Sequence, residues 1–138
     1  MDPRIVELER HTGNIIHSDS TLFRHLFGVY NILKHQGKKE YVCWAGLFHS
    51  VYETEYFEFN TPYTRDRVTE LIGKQAEQLV YEFCNTRPRF DKFLAREGNW
   101  SDEVYADLLD IELANMAEQL YVNTQVKMLA AIRKNLKV

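Results

Sequence analysis

Apolar residues recur along most of the chain at intervals of three and four, which is the period of an amphipathic α-helix. The segment from Glu40 to about Glu53 is apolar on nearly every side, so it predicts the central helix of the fold. Only six glycines and three prolines interrupt the pattern, and no repeat or low-complexity tract is present. The sequence therefore predicts an all-α domain of about seven helices, with no sheet beyond a short hairpin. The clearest apolar stripe consists of Leu22, Leu26, Val29 and Leu33.

Capping residues and glycines predict where the helices begin and end. Ser18, Asp19 or Ser20 is expected to cap the helix that ends near His35, and Ser101 is expected to cap the long helix that follows it. A linker is expected at 15–18, and a loop rich in acidic and aromatic residues at 53–63. Seven predicted helices cover 4–11, about 20–35, 40–53, 64–72, 74–84, 102–121 and 124–137, and a marginal eighth covers 90–96.

Composition narrows the classes of function. A chain of 138 residues fits one domain, 1–138, and its net charge of −3 gives no general attraction for nucleic acid or an anionic membrane. No apolar stretch approaches the roughly 20 residues of a membrane span, and no signal peptide is recognisable, so a cytoplasmic location is expected. Cys43 and Cys84 stand in apolar contexts and are expected to be buried, reduced thiols.

Two histidines stand out in apolar surroundings. His49 lies in the stretch CWAGLFHSVY, residues 43–52, and His25 flanks the apolar stripe of the preceding helix. A polar ring buried without a partner costs roughly 1–3 kcal/mol, so each ring is expected to be hydrogen-bonded or coordinated. Asn115 interrupts the apolar side of a later helix in the same way. Singly these are ordinary hydrogen-bonded core residues, but together they predict a polar pocket.

The stretch LFHSVYET, residues 47–54, resembles the motif Leu-Leu-His-Asp-x-x-Glu-Asp of the HD-domain phosphohydrolases, in the variant found in RelA/SpoT-type hydrolase domains. Three other segments are similar to motifs of that family and follow in the same order: 24–30 (RHLFGVY), 67–80 (RVTELIGKQAEQLV) and 109–116 (LDIELANM). A small HD-like group with His-Ser in place of His-Asp is more similar still. The resemblance covers about 18–119 and implies a compact HD-domain-like helical bundle.

The resemblance also implies a metal site, in which the family uses two histidines and two aspartates. His25 and His49 match the histidines, but Ser50 and Asn115 stand at the aspartate positions. Loss of both carboxylates is expected to weaken the binding of a hard cation on the order of 10³-fold, so no tightly bound Mn²⁺ or Mg²⁺ is expected. If a metal binds, we expect Zn²⁺ or Fe²⁺ on His25 and His49, assisted by His17 or a carboxylate such as Glu53. A metal-free polar pocket is the alternative.

Two functions from different classes remain open. One is a divergent hydrolase acting on a nucleotide or other small metabolite, with His49 and Glu53 as catalytic residues, since Glu53 follows His49 by one helical turn. The other is a non-catalytic HD-like module that binds a small ligand or a protein partner. The aromatic loop at 53–63 could line the pocket or form a homodimer contact. The ring nitrogens of His25 and His49 are expected to lie roughly 4–7 Å apart. The expected ligand contacts are His17, Arg24, Ser50, Tyr52, Arg67 and Asn115.

Overall fold

The computed structural model describes residues 1–121 and 123–138, and within them it contains eight α-helices and one small antiparallel hairpin. The all-α prediction is confirmed, and the hairpin is the only sheet in the described ranges. No helix in this part of the chain is long and apolar enough to cross a membrane. The elements are α1 (Pro3–Thr12), β1 (Ile16–His17), β2 (Ser20–Thr21), α2 (Leu22–His35), α3 (Glu40–Leu47), α4 (Arg65–Ile72), α5 (Lys74–Asn85), α6 (Arg89–Ala95), α7 (Asp102–Glu118) and α8 (Thr124–Asn135).

Helices α2, α3 and α7 pack against one another, and α5 covers a further side of α3. Gly46 lies where α2 and α3 meet, because a Cβ atom there would overlap the side chain of Leu33 and crowd Val29. The absence of a side chain at Gly46 thus lets the two helices approach closely. Helix α7 is as deeply buried as α3, although the acidic residues Asp107, Asp110 and Glu112 lie among its buried side chains.

Side-chain caps account for most of the helix starts. Ser101 accepts a hydrogen bond from the backbone N–H of Val104, so the predicted cap of α7 is confirmed. The predicted cap of α2 is wrong, because Ser18, Asp19 and Ser20 belong to the hairpin and its turn. Thr21 caps α2 instead, by accepting a hydrogen bond from the Arg24 N–H.

The predicted helix 40–53 is too long. Helix α3 ends at Leu47, and the chain continues through tight turns in which Val51 N–H donates to the Phe48 carbonyl and Glu53 N–H donates to the Ser50 carbonyl. Glu53 itself has a left-handed backbone with φ of 72°. Apolar composition alone cannot separate a buried helix from a buried turn, so the pattern gave the wrong end. Helices α7 and α8 also end before the predicted 121 and 137.

Candidate ligand-binding site

One cavity of about 420 Å³ opens between the hairpin, α2, the turn after α3 and helix α7. This volume is in the range of small-molecule sites in proteins. Its lining combines three histidines, one arginine, one glutamate, neutral polar side chains and several aromatic rings. The central members are His25, His49, Ser50, Arg89, Glu112 and Asn115.

His25 and His49 are in direct contact at the base of this cavity. Their Nε2 atoms lie 3.3 Å apart, and both side chains are buried. The prediction of 4–7 Å between ring nitrogens is therefore wrong, since the rings are closer. Helix α2 packs closely on α3, and the turn after α3 places the His49 ring directly beside the His25 ring.

The other nitrogen of each ring is held by an acceptor. His49 Nδ1–H donates to the Gly46 carbonyl at 2.8 Å, and a carbonyl can only accept. His25 Nδ1 forms a short contact with the Glu118 carboxylate. Gly28, one turn after His25, leaves space for that carboxylate, since a Cβ there would lie 2.8 Å from Glu118 Cγ. When both rings are neutral, their Nε2 lone pairs therefore face each other across this contact.

The surroundings of His49 favour its neutral form. Burial lowers the pKa of His49 well below its ordinary value of 6.5, and the nearby His25 and Arg89 lower it further. The thiol of Cys84 donates to the His49 carbonyl at 3.0 Å and fixes the backbone of this turn. Cys43 and Cys84 are both buried and free, as the sequence predicted, and burial raises the pKa of Cys84 to about 12.

Ser50 and Asn115 line the same cavity as the two histidines. Both are buried, and the Ser50 Oγ atom has no hydrogen-bond partner among the described residues. Asn115 Nδ2 donates to Glu112 Oε1 at 2.8 Å. The structure thus brings together, from α2, α7 and the turn after α3, the four residues that the resemblance placed in one site.

Arg89 is a cavity residue that the sequence analysis missed. It is the first residue of α6 and only 7% exposed, and its Nε donates to Glu112 Oε2 at 2.8 Å. Its guanidinium lies 4.5 Å from the centre of the Phe83 ring, and the same ring contacts His49 edge-on. The only signals in the sequence were the basic turn RPR at 87–89 and an acidic residue, Glu112, on the apolar side of a helix.

His17 reaches the cavity from the hairpin. Its ring lies against the ring of His25, with centroids 4.7 Å apart, and it contacts the Phe57 ring edge-on. His17 Nε2 lies 3.3 Å from the side-chain nitrogen of Gln119, and partial burial lowers its pKa. The hairpin and the loop that carries Phe57 therefore cover one side of the histidine pair.

Glu53 does not line the cavity, which corrects its expected catalytic placement. Because α3 ends at Leu47, Glu53 is not one helical turn beyond His49 on a shared face. Its carboxylate instead accepts a hydrogen bond from the backbone N–H of Phe59 and holds the following loop together.

Three more of the expected ligand contacts lie outside the cavity lining. Arg24 is exposed on α2. The Tyr52 hydroxyl donates to Glu77 at 2.8 Å, so this side chain turns towards α5 rather than towards the histidines. Arg67 forms ion pairs on the surface with Glu7 and Glu70. Helical position alone did not show that these side chains point elsewhere.

The donor set does not fit Mn²⁺ or Mg²⁺, which prefer oxygen ligands. The described lining of the cavity includes the acidic residue Glu112, whereas Asp19, Glu53 and Glu55 lie outside it. Both oxygens of Glu112 are engaged, by Arg89 and by Asn115. Over residues 1–121 and 123–138, no group of three or more histidine, cysteine or acidic side chains is placed to hold an ion. His17, His25 and His49 all line the cavity, but the described residues do not place them around a common point with a carboxylate.

Residues 7–87 match a protein family described as Domain of unknown function (DUF6817), and this range is more than half of the chain. The chain belongs to this family. The DUF6817 range contains His17, His25, His49 and Ser50, whereas Arg89 and Asn115 follow it. No curated protein and no solved structure shows significant similarity to the chain.

Proposed function

We propose that this DUF6817 protein is an HD-like protein that binds a small metabolite in the cavity around His25 and His49, without a tightly bound Mn²⁺ or Mg²⁺. One observation carries the proposal. His25, the adjacent pair His49 and Ser50, and Asn115 come from three separate segments of the sequence, yet all four line one cavity of about 420 Å³. At two of these positions a neutral side chain stands where the HD family has an aspartate.

The chemistry of the lining supports a ligand that is partly polar and partly planar. A buried hydroxyl costs free energy unless it is hydrogen-bonded, so a ligand atom near Ser50 Oγ would recover that cost. Tyr56, Phe57 and Phe90 provide aromatic surface on other parts of the wall. Aromatic walls with a few fixed polar groups are the usual composition of metabolite sites. The free, buried thiols suit a reducing compartment, so we propose a cytoplasmic protein.

A divergent hydrolase is the second candidate. It is favoured by the burial that lowers the pKa of His49, because a neutral imidazole can accept a proton, here at the Nε2 atom that faces His25. Against it, Glu53 points away, and the carboxylate of Glu112 is held by two donors. Hydrolysis would need a free carboxylate that the described lining of the cavity does not offer, whereas binding a ligand would not.

The binding proposal can be tested by NMR, with the methyl signals of the protein's own methionines as probes. Met116 lines the cavity, whereas Met128 is 40% exposed on α8. In protein labelled with methyl-¹³C methionine, nucleosides, nucleotides and sugar phosphates are titrated while the methyl spectrum is recorded. We expect at least one class to shift Met116 saturably and to leave Met128 in place.

The matched variants are Asn115→Leu, which changes the cavity wall, and Arg24→Gln, which changes an exposed residue of α2. Binding is expected to weaken at least about tenfold in Asn115→Leu and to stay within about twofold in Arg24→Gln. The proposal would be contradicted if no compound shifted the Met116 methyl signal, or if both variants lost the same amount of binding affinity.

The hydrolase candidate is separated by a turnover assay. Guanosine tetraphosphate and generic phosphoesters are incubated with the protein, with and without added Mn²⁺, and released phosphate is measured. We expect no release above the rate without protein. Sustained turnover that disappears in His49→Asn would replace the binding proposal with the hydrolase.

A further inference from the structure

We infer that Arg89 is the fixed cation of the cavity and that the ligand carries an oxyanion, either a phosphate or a carboxylate. This inference rests on the proposed function, because it names the chemical class of the ligand. It assigns the positive charge of the site to a side chain of α6 rather than to a metal ion.

The free part of the guanidinium supports this assignment. Arg89 uses Nε for Glu112, and in the described part of the chain no group accepts a hydrogen bond from Nη1 or Nη2. Neither Nη1 nor Nη2 is a fully buried atom without a partner, and Arg89 lines the cavity. Two neighbouring amino groups on a fixed plane match the two oxygens of a carboxylate or a phosphate.

The position of the guanidinium is fixed by its neighbours. Glu112 holds Nε, the Phe83 ring lies under the guanidinium plane, and the Glu55 carboxylate accepts from the backbone N–H of Arg89. Asn115 holds the second oxygen of Glu112. A cation positioned in this way before the ligand arrives loses little freedom on binding.

The hydrogen-bond donors of the lining favour an anion. Among the described lining residues, Glu112 is the only acidic one, and its two oxygens are already hydrogen-bonded. Ser50 and Asn115 add polar groups without negative charge, and Ser50 Oγ–H is free to donate. Arg89 also contributes to the lowered pKa of His49, and both side chains contact the Phe83 ring. An oxyanion at this position would meet donors and a cation, with no free carboxylate against it.

The test uses the Met116 methyl signal in buffers stripped of metal ions by a chelating resin. Inorganic phosphate and succinate are the two oxyanion probes, and adenosine with adenosine monophosphate forms a matched uncharged and charged pair. The main variant is the double change Arg89→Gln with Glu112→Gln, which removes both charges and leaves no unpaired buried carboxylate. Arg89→Lys is the second variant, because it keeps the charge but loses the planar fork. Arg24→Gln is the control.

We expect phosphate, succinate or both to shift Met116 saturably, and adenosine monophosphate to bind more tightly than adenosine. The apparent Kd should rise at least about tenfold in the double variant, less in Arg89→Lys, and within about twofold in Arg24→Gln. A response to phosphate alone identifies a phosphate ligand, and a response to succinate alone identifies a carboxylate. Both outcomes support the inference.

The inference and the proposed function fail in different ways. If adenosine or another uncharged compound moves Met116 as strongly as the anions do, or if the double variant binds anions unchanged, Arg89 is not the anion-binding group. The cavity would then still be a ligand site. If neither charged nor uncharged compounds move Met116, the proposed function fails together with the inference.

Discussion

The Nε2 atoms of His25 and His49 face each other across 3.3 Å, and on the far side of each ring Nδ1 is held by an acceptor. The acceptors are the Glu118 carboxylate for His25 and the Gly46 carbonyl for His49. Metal-binding histidines are commonly oriented by such partners, and so are histidines that share a proton. The other polar residues of the cavity distinguish a metal site from a proton-sharing pair. Ser50, Asn115 and Arg89 provide no free carboxylate, which argues against a metal site.

The lowered pKa of His49 predicts how stability changes with pH. The unfolded chain takes up a proton at this residue near 6.5, while the folded chain resists it until the pH is much lower. The free energy of unfolding should therefore fall as the pH drops below about 6.5, by up to about 1.4 kcal/mol per pH unit for one proton. In His49→Asn this contribution is absent, so urea unfolding should show a smaller loss between about pH 7 and pH 5.

His35→Asn is the control for this measurement, since His35 is exposed at the end of α2. As the pH falls, the free energy of unfolding of His35→Asn should decrease as much as that of the wild type. If His49→Asn showed the same pH dependence as the wild type, folding would not lower the pKa of His49.

Because Arg89 and Glu112 form a buried ion pair, removing one partner should destabilise the protein more than removing both charges. Both side chains are almost fully buried, at 8% and 3% exposure. Arg89→Ala should lower the free energy of unfolding by about 3–5 kcal/mol, because it leaves the Glu112 charge without its partner. The double change to glutamine should cost clearly less than Arg89→Ala. Chemical denaturation measures both, and equal losses would show that the pair is already solvated.

The fold could be predicted from the sequence more fully than the site. Apolar spacing and caps identified all eight helices of the described ranges approximately, because those signals are local. The end of α3 was missed because residues 48–51 are as buried in turns as they would be in a helix. The misplaced role of Glu53 follows directly from that error.

The site was predictable only where polar residues interrupt apolar stretches. His25, His49 and Asn115 carry that signal, and Ser50 follows from the resemblance. Arg89 carries no such signal, because a basic turn residue looks the same in sequence whether it is solvated or paired with Glu112 across 23 positions. Arg24 and Arg67 stand near the right segments but point to the surface. Side-chain direction across different helices is a tertiary property that local spacing does not contain.

The close packing of α2 on α3 should make any side chain at position 46 destabilising. Gly46→Ala would gain up to about 1 kcal/mol in helix propensity, but its Cβ would overlap Leu33. We expect a net loss of about 1–3 kcal/mol in the free energy of unfolding. Combining it with Leu33→Ala should cost less than the two single changes together, since the overlap is then removed. Strict additivity in denaturant unfolding would contradict direct contact between these positions.

We propose that Ser50 and Asn115 replace metal-binding carboxylates around His25 and His49. The most direct test is Mn²⁺ affinity, measured by isothermal titration and by the electron paramagnetic resonance of free Mn²⁺. Three proteins are compared: the wild type, the double change Ser50→Asp with Asn115→Asp, and the double change Ser101→Asp with Asn31→Asp. The last adds the same charges at exposed positions. We predict weak binding by the wild type and the surface variant, and binding on the order of 10³-fold tighter in the cavity variant. Equal Mn²⁺ affinity in all three proteins, or tight binding by the wild type, would contradict the claim.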